Sequence, residues 1–258
     1  MQLYWVLLLG AIVPWSGNHA LPVREQEGSG SEYNDDLLEG DIKGFANSFD
    51  VARNGRVDDN YLWKYRTIPY VISDDFDLEE RYKIEEGIAE YHRKTCIRLV
   101  PLPDLPDRPA WMDDYIYITR ENSGCWSYVG RLGRGAQQLN LQSPGCMSRG
   151  TILHEILHAV GFWHEQSRPD RDRFVTINED NVEDGKMNNF VVHGWEDATI
   201  LDQPYDVESV MHYSAYAFAK DKNVMTIIPK GGPKVVLGQR IDFSKIDITK
   251  INRLYGCT

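Results

Sequence analysis

One stretch limits what this chain can fold into more than any other: His154-Glu155-Ile156-Leu157-His158-Ala159-Val160-Gly161-Phe162-Trp163-His164-Glu165. His154 and His158 stand at i and i+4, so on a helix both imidazoles leave one face. Two nitrogens at that separation can share a tetrahedral zinc. Glu155 lies about 100° further round the helix, where it can face a water on the metal without ligating. Helix geometry supplies no third ligand nearby. Gly161 can take φ > 0, end the helix and turn the chain back so that His164 reaches the ion. Three neutral imidazoles leave the zinc its full charge and one open position, the arrangement of a hydrolytic site. The spacing therefore predicts a helix capped by Ser148 or Thr151, running to about Val160 and stopping at Gly161.

The rest reads as ordinary globular sequence, with 258 residues, 42% hydrophobic, and a formal charge of −11. An acidic chain without a Lys/Arg cluster has little with which to neutralise phosphates, which argues against a nucleic-acid partner. The one strongly apolar segment, Leu3 to Val13, is shorter than the ~20 residues of a membrane-spanning helix. With Pro14 after it and the small Ala20 beyond, it reads as a secretory signal over 1–20. No apolar tail follows Cys257, so no membrane anchor is expected. Cys96, Cys125, Cys146 and Cys257 include no CxxC pair and fit two disulfides in an oxidising compartment; spacing alone leaves three pairings open.

Residues 21–53 carry eight acids against Arg24, Lys43 and Arg53, with a linker-like Gly28-Ser29-Gly30-Ser31. Globular patterning begins at Tyr61. Thr67–Ile72, Ile97–Val100, Tyr115–Thr119 and Gln138–Leu141 read as strands. Glu79–Arg93 reads as an amphipathic helix with Ile84, Ile88 and Tyr91 on one side, and Ser244–Leu254 as a last helix. His92, His193 and His212 read as structural or surface histidines.

With Ser209-Val210-Met211-His212-Tyr213 downstream, the long histidine stretch resembles the astacin family of metzincin zinc endopeptidases, from about Leu38 to Thr258. Gln166-Ser167-Arg168-Pro169-Asp170-Arg171-Asp172 and Gly124-Cys125-Trp126-Ser127-Tyr128-Val129-Gly130 match family segments too. The family's GGxQ reads Gly135-Ala136-Gln137, and its FxGD reads Leu38-Glu39-Gly40-Asp41. The resemblance implies an α+β metzincin fold: an N-terminal mixed twisted sheet with two long helices, a loop-rich C-terminal subdomain beginning near 161–165, and a cleft between them. It implies one Zn2+ per chain on His154, His158 and His164, Glu155 as general base, and Met211 in a turn beneath the metal. It further implies Tyr213 as an additional, movable ligand that later donates to the oxyanion. The implied disulfides are Cys96–Cys257 and Cys125–Cys146. Arg240 matches a position lining an S1′ pocket for acidic side chains, and as a residue type it fits a structural ion pair equally well.

The same resemblance makes 21–53 a pro-peptide whose Asp41 stands in for the zinc water, and 54–258 the peptidase domain. A trypsin-like protease would cut after Arg53, or Arg56, and the new amine would fold toward Glu165 to form a charge pair that only cleavage permits. The substrates would be proteins or peptides, met outside the cell, and the short form resembles hatching and digestive astacins. Other readings predict different behaviour. A distant glutamate as third ligand would leave His164 dispensable. A catalytically dead binding relative would not cleave peptides, and a disulfide-stabilised adhesion module would hold no stoichiometric zinc.

Overall fold

The computed structural model describes residues 37–44, 59–103, 108–195, 199–232 and 234–257. The expected signal, most of the acidic 21–53 segment, and Arg53 and Arg56 lie outside the described residues. Five strands form one sheet: β1 (Thr67–Ile72), β2 (Arg98–Pro101), β3 (Tyr115–Thr119), β4 (Cys125–Ser127) and β5 (Ala136–Leu141). Their order is β2-β1-β3-β5-β4. All pairs are parallel except β4 with β5, so β4 is an antiparallel edge strand. Helices α1 (Leu78–Lys94) and α2 (Arg149–Val160) pack with this sheet, and α3 (Lys245–Leu254) closes the chain. Two short strands, β6 (Val175–Ile177) and β7 (Ile227–Pro229), pair antiparallel in the C-terminal half.

The main core joins Ile68, Ile116, Ile118, Leu139 and Leu141 of the sheet to Ile84, Ile88 and Tyr91 of α1 and Ile152, Leu153, Ile156 and Leu157 of α2. A separate cluster, including Val175, Phe190, Tyr213, Phe218 and Ile227, holds the loop-rich half together. The α+β architecture, with its mixed sheet and C-terminal loops, is the one the family resemblance implies. The disulfides are Cys96–Cys257 and Cys125–Cys146, with Cα separations of 6.0 and 5.7 Å. The first ties the entry to β2 to the end of α3, and the second ties β4 to the approach to α2.

Every residue of α2 from Gly150 to Val160 is buried, as befits a helix running through the middle of a protein. Burial obliges its terminal backbone groups to find partners. The Ser148 side chain accepts from Thr151 N at the start. At the end, Gly161 (φ 126°) and Phe162 donate to Leu157 O, and Gly130 N and Gly161 N donate to His158 O. Trp63 Nε1 donates to Ala159 O (2.8 Å), and the Tyr255 hydroxyl to Val160 O (2.7 Å). A side chain at Gly161 would strain that left-handed turn. At Gly87 a Cβ would come within 2.6 Å of Ile152 Cγ2, so glycine is what lets α1 and α2 approach there.

Candidate metal centre

The anchored end of α2 fixes His154 and His158, and the Gly161 turn brings back His164. All three are buried, and their Nε2 atoms converge. His154 Nε2 lies 3.1 Å from that of His158 and 3.3 Å from that of His164. Ligands at ~2.0–2.1 Å from a tetrahedral zinc stand about 3.3 Å from one another, so this spacing fits the ion. The outward nitrogens are held by acceptors. His154 Nδ1 donates to Val210 O (2.8 Å), His158 Nδ1 to Phe162 O (2.7 Å) and His164 Nδ1 to Glu39 Oε2 (2.6 Å). With their protons on Nδ1, His154 and His158 turn bare lone pairs toward one another, a repulsive arrangement that a cation relieves.

Asp41 enters from the segment 37–44. Its Oδ2 is 3.1 Å from both His154 Nε2 and His164 Nε2, and its Oδ1 is 3.6 Å from His158 Nε2. One atom from each of Asp41, His154, His158 and His164 falls within a 4.8 Å group able to hold a metal ion. Burial opposes ionisation of Asp41, but the surrounding imidazoles, His164 first, hold it well below the usual carboxylate range. Burial also keeps His154 and His158 below the ordinary imidazole value. For His164 burial pulls the same way, yet the Asp41 and Glu39 carboxylates push it up to about 9.

The segment carrying Asp41 lies along the sheet edge. Ile42 bridges Ser127 in parallel register, with Ser127 N donating to Asp41 O (3.0 Å) and Lys43 N to Ser127 O (2.8 Å). Ile42 packs with Val129 and Trp163, and Leu38 joins them. The leucine in place of the family's phenylalanine thus still fills an apolar contact.

The remaining predicted residues gather around this centre. Glu155 is fully buried one position along α2 from His154. Met211 is buried, and its carbonyl accepts from Glu165 N (3.1 Å), joining the turn to the residue after His164. Tyr213 lies with its ring centroid 4.5 Å from that of His164, and its hydroxyl donates to Glu39 O. Arg240 Nη1 donates to Val210 O (2.9 Å), His212 O (3.0 Å) and Gln239 O (3.2 Å), bracing the methionine turn behind His154. Glu165 has two charged partners. Its carboxylate is ion-paired, Oε2 with Lys250 Nζ at 2.5 Å and Oε1 with Arg168 Nη1 at 3.1 Å. A carboxylate this deeply buried needs compensating charge.

Two residues of this centre carry no signal of their own in the sequence. Glu39 is one of the eight acids of 21–53, and His193 lies in a loop. They meet at 2.6 Å, His193 Nε2 donating to Glu39 Oε1, although 154 positions separate them. The FxGD-like segment pointed toward Glu39; no local pattern marks His193.

Residues 55–256 match the model of the Astacin peptidase family. Meprin A subunit beta of Rattus norvegicus is 41% identical over 224 residues, 86% of this chain and 30% of that protein. Zinc metalloproteinase nas-14 of Caenorhabditis elegans is 42% identical over 86% of this chain and 43% of its own length. The chain thus spans less than half the length of these relatives. Among solved structures, the hatching enzyme zinc-protease High choriolytic enzyme 1 of Oryzias latipes superposes with a TM-score of 0.70 at 36% identity, covering 84% of this chain and all of that one. A sheet with a helix-borne histidine pair, a glycine turn to a third histidine, and a family match across both halves lead to one assignment: the chain belongs to the astacin family and binds one zinc.

Proposed function

We propose that the chain is a secreted zinc endopeptidase made as an inactive precursor, with His154, His158 and His164 as zinc ligands and Asp41 closing the site. The observation that carries this reading is the convergence of three histidines from the catalytic half and one carboxylate from the preceding segment on a single buried point. Zinc, when bound, supplies a Lewis acid for the scissile carbonyl and acidifies a water. Glu155 takes the proton from the attacking water and delivers it to the leaving amine. Tyr213, once parted from Glu39 O, donates its hydroxyl to the developing oxyanion. An extended peptide takes the edge of β4 now covered by Asp41–Lys43, pairing with the backbone of Cys125–Ser127.

Removing the segment opens both the metal position and this edge. A trypsin-like cut after Arg53 does so, and the released amine joins a Glu165 that Lys250 and Arg168 already neutralise. Leu3–Val13 directs the chain to export. Among the described residues no helix is long and apolar enough to cross a membrane. Substrates are proteins or peptides, with acidic P1′ residues favoured through Arg240. Glu155→Ala tests the chemistry. The trimmed variant keeps one zinc by metal analysis and loses casein hydrolysis by at least about 100-fold. Cleavage at the wild-type rate would overturn the assignment.

A further inference from the structure

The three imidazoles differ in what holds their outer nitrogens. His154 and His158 use backbone carbonyls of the catalytic half, at Val210 and Phe162. His164 uses a carboxylate from the segment that precedes that half, Glu39. The same carboxylate takes a second hydrogen bond from His193 Nε2, also at 2.6 Å. His193 is itself fixed, its N–H donating to Ser167 O (2.9 Å) and its ring lying 4.6 Å from that of Trp163. The Glu39 carbonyl accepts from Tyr213. Glu39 is 1% exposed and its φ is 48°, a left-handed conformation that a non-glycine residue keeps only where its surroundings demand it. A carboxylate on the far nitrogen of a ligating histidine fixes the ring and strengthens it as a ligand.

We propose that Glu39 is a positioning residue for the metal centre: it orients His164 from outside and ties that ligand to His193, so the uncut chain holds zinc more tightly than loss of Asp41 alone accounts for. The proposal rests on the reading of His164 as a ligand. On activation Asp41 and Glu39 leave together, and the third histidine loses its carboxylate partner while the other two keep theirs. The precursor is then the form best suited to acquire zinc and retain it against competitors.

The test uses the full-length chain and competition with a chromophoric chelator. Glu39→Met keeps the length of the side chain and removes both acceptors; Glu39→Gln keeps an acceptor for one imidazole. With Asp41 intact, zinc affinity is expected to fall about 10–100-fold in Glu39→Met and by less in Glu39→Gln. In the zinc-loaded protein the ring N–H resonance of His164 should shift or exchange faster in Glu39→Met. Those of His154 and His158, and the Lys43 amide bonded to Ser127, should stay protected. Affinity within twofold of wild type in Glu39→Met would overturn the role, as would loss of Lys43 protection, which would mean that the whole segment had left. His164→Ala separates this from the underlying reading: undiminished zinc binding there removes the ligand assignment itself.

Discussion

At the scale of single residues, protonation follows from who can donate to whom. His212 is buried, with Nδ1 donating to Tyr213 O (2.8 Å) and the Tyr205 hydroxyl 2.7 Å from Nε2. Nε2 therefore accepts, and the ring is neutral. Burial accordingly lowers its pKa from 6.5 to about 4. As pH falls through this window the unfolded chain takes up a proton that the folded chain refuses, so stability drains away below 6.5, by up to about 3 kcal/mol near pH 4. His212→Asn should be less stable at pH 7 yet lose less between pH 7 and 4.5, by urea unfolding with metal chelated. Parallel losses in the two proteins would contradict this. Arg240 makes a second case. If its guanidinium also faces substrate, peptides with Asp at P1′ should be cut faster than their Ala counterparts, and Arg240→Ala should narrow the gap. Equal wild-type rates on both peptides would leave it only the bracing role.

At the scale of elements, α3 does more than close the chain. Asp247, in the capping box with Ser244, also accepts from Ser209 Oγ (2.6 Å) and Val210 N (3.0 Å), fixing the turn that carries Met211. One turn on, Lys250 reaches Glu165, next to His164. Lys250→Met leaves that carboxylate with Arg168 and the Asp206 amide alone. It should cost about 2–4 kcal/mol in urea unfolding, because a buried charge loses a partner; a change under about 0.5 kcal/mol would contradict the assignment.

The elements also show what could be read in advance. Thr67–Ile72 and Tyr115–Thr119 form where their β-branched and aromatic runs predict, and α2 runs from its Ser148 cap to Gly161. The metal-facing histidines were legible because one helix period and one glycine place them. β4, β6 and β7 were not, being three residues each, too short to show a period. Nor were Glu39–His193 or Lys250–Glu165, since contacts across 154 and 85 positions leave no local pattern.

At the scale of the whole molecule, one short segment meets both halves of the protein. Asp41 faces the histidines, Ile42 and Lys43 cover the edge of β4, and Glu39 reaches His193 and Tyr213 in the C-terminal half. In the proposed precursor, a segment bound this way would block metal, strand edge and oxyanion donor together. Asp41→Ala should therefore leak some peptidase activity from the uncut chain, less than trimming releases, since Glu39 and Ile42 still hold the segment. The most direct measurement is hydrolysis of a quenched peptide by the purified full chain before and after limited trypsin treatment, with and without a zinc chelator. No activity is expected before trimming, and after it an activity that the chelator abolishes and added zinc restores. Equal activity of the uncut and trimmed wild type, or cleavage that persists in chelator, would contradict it.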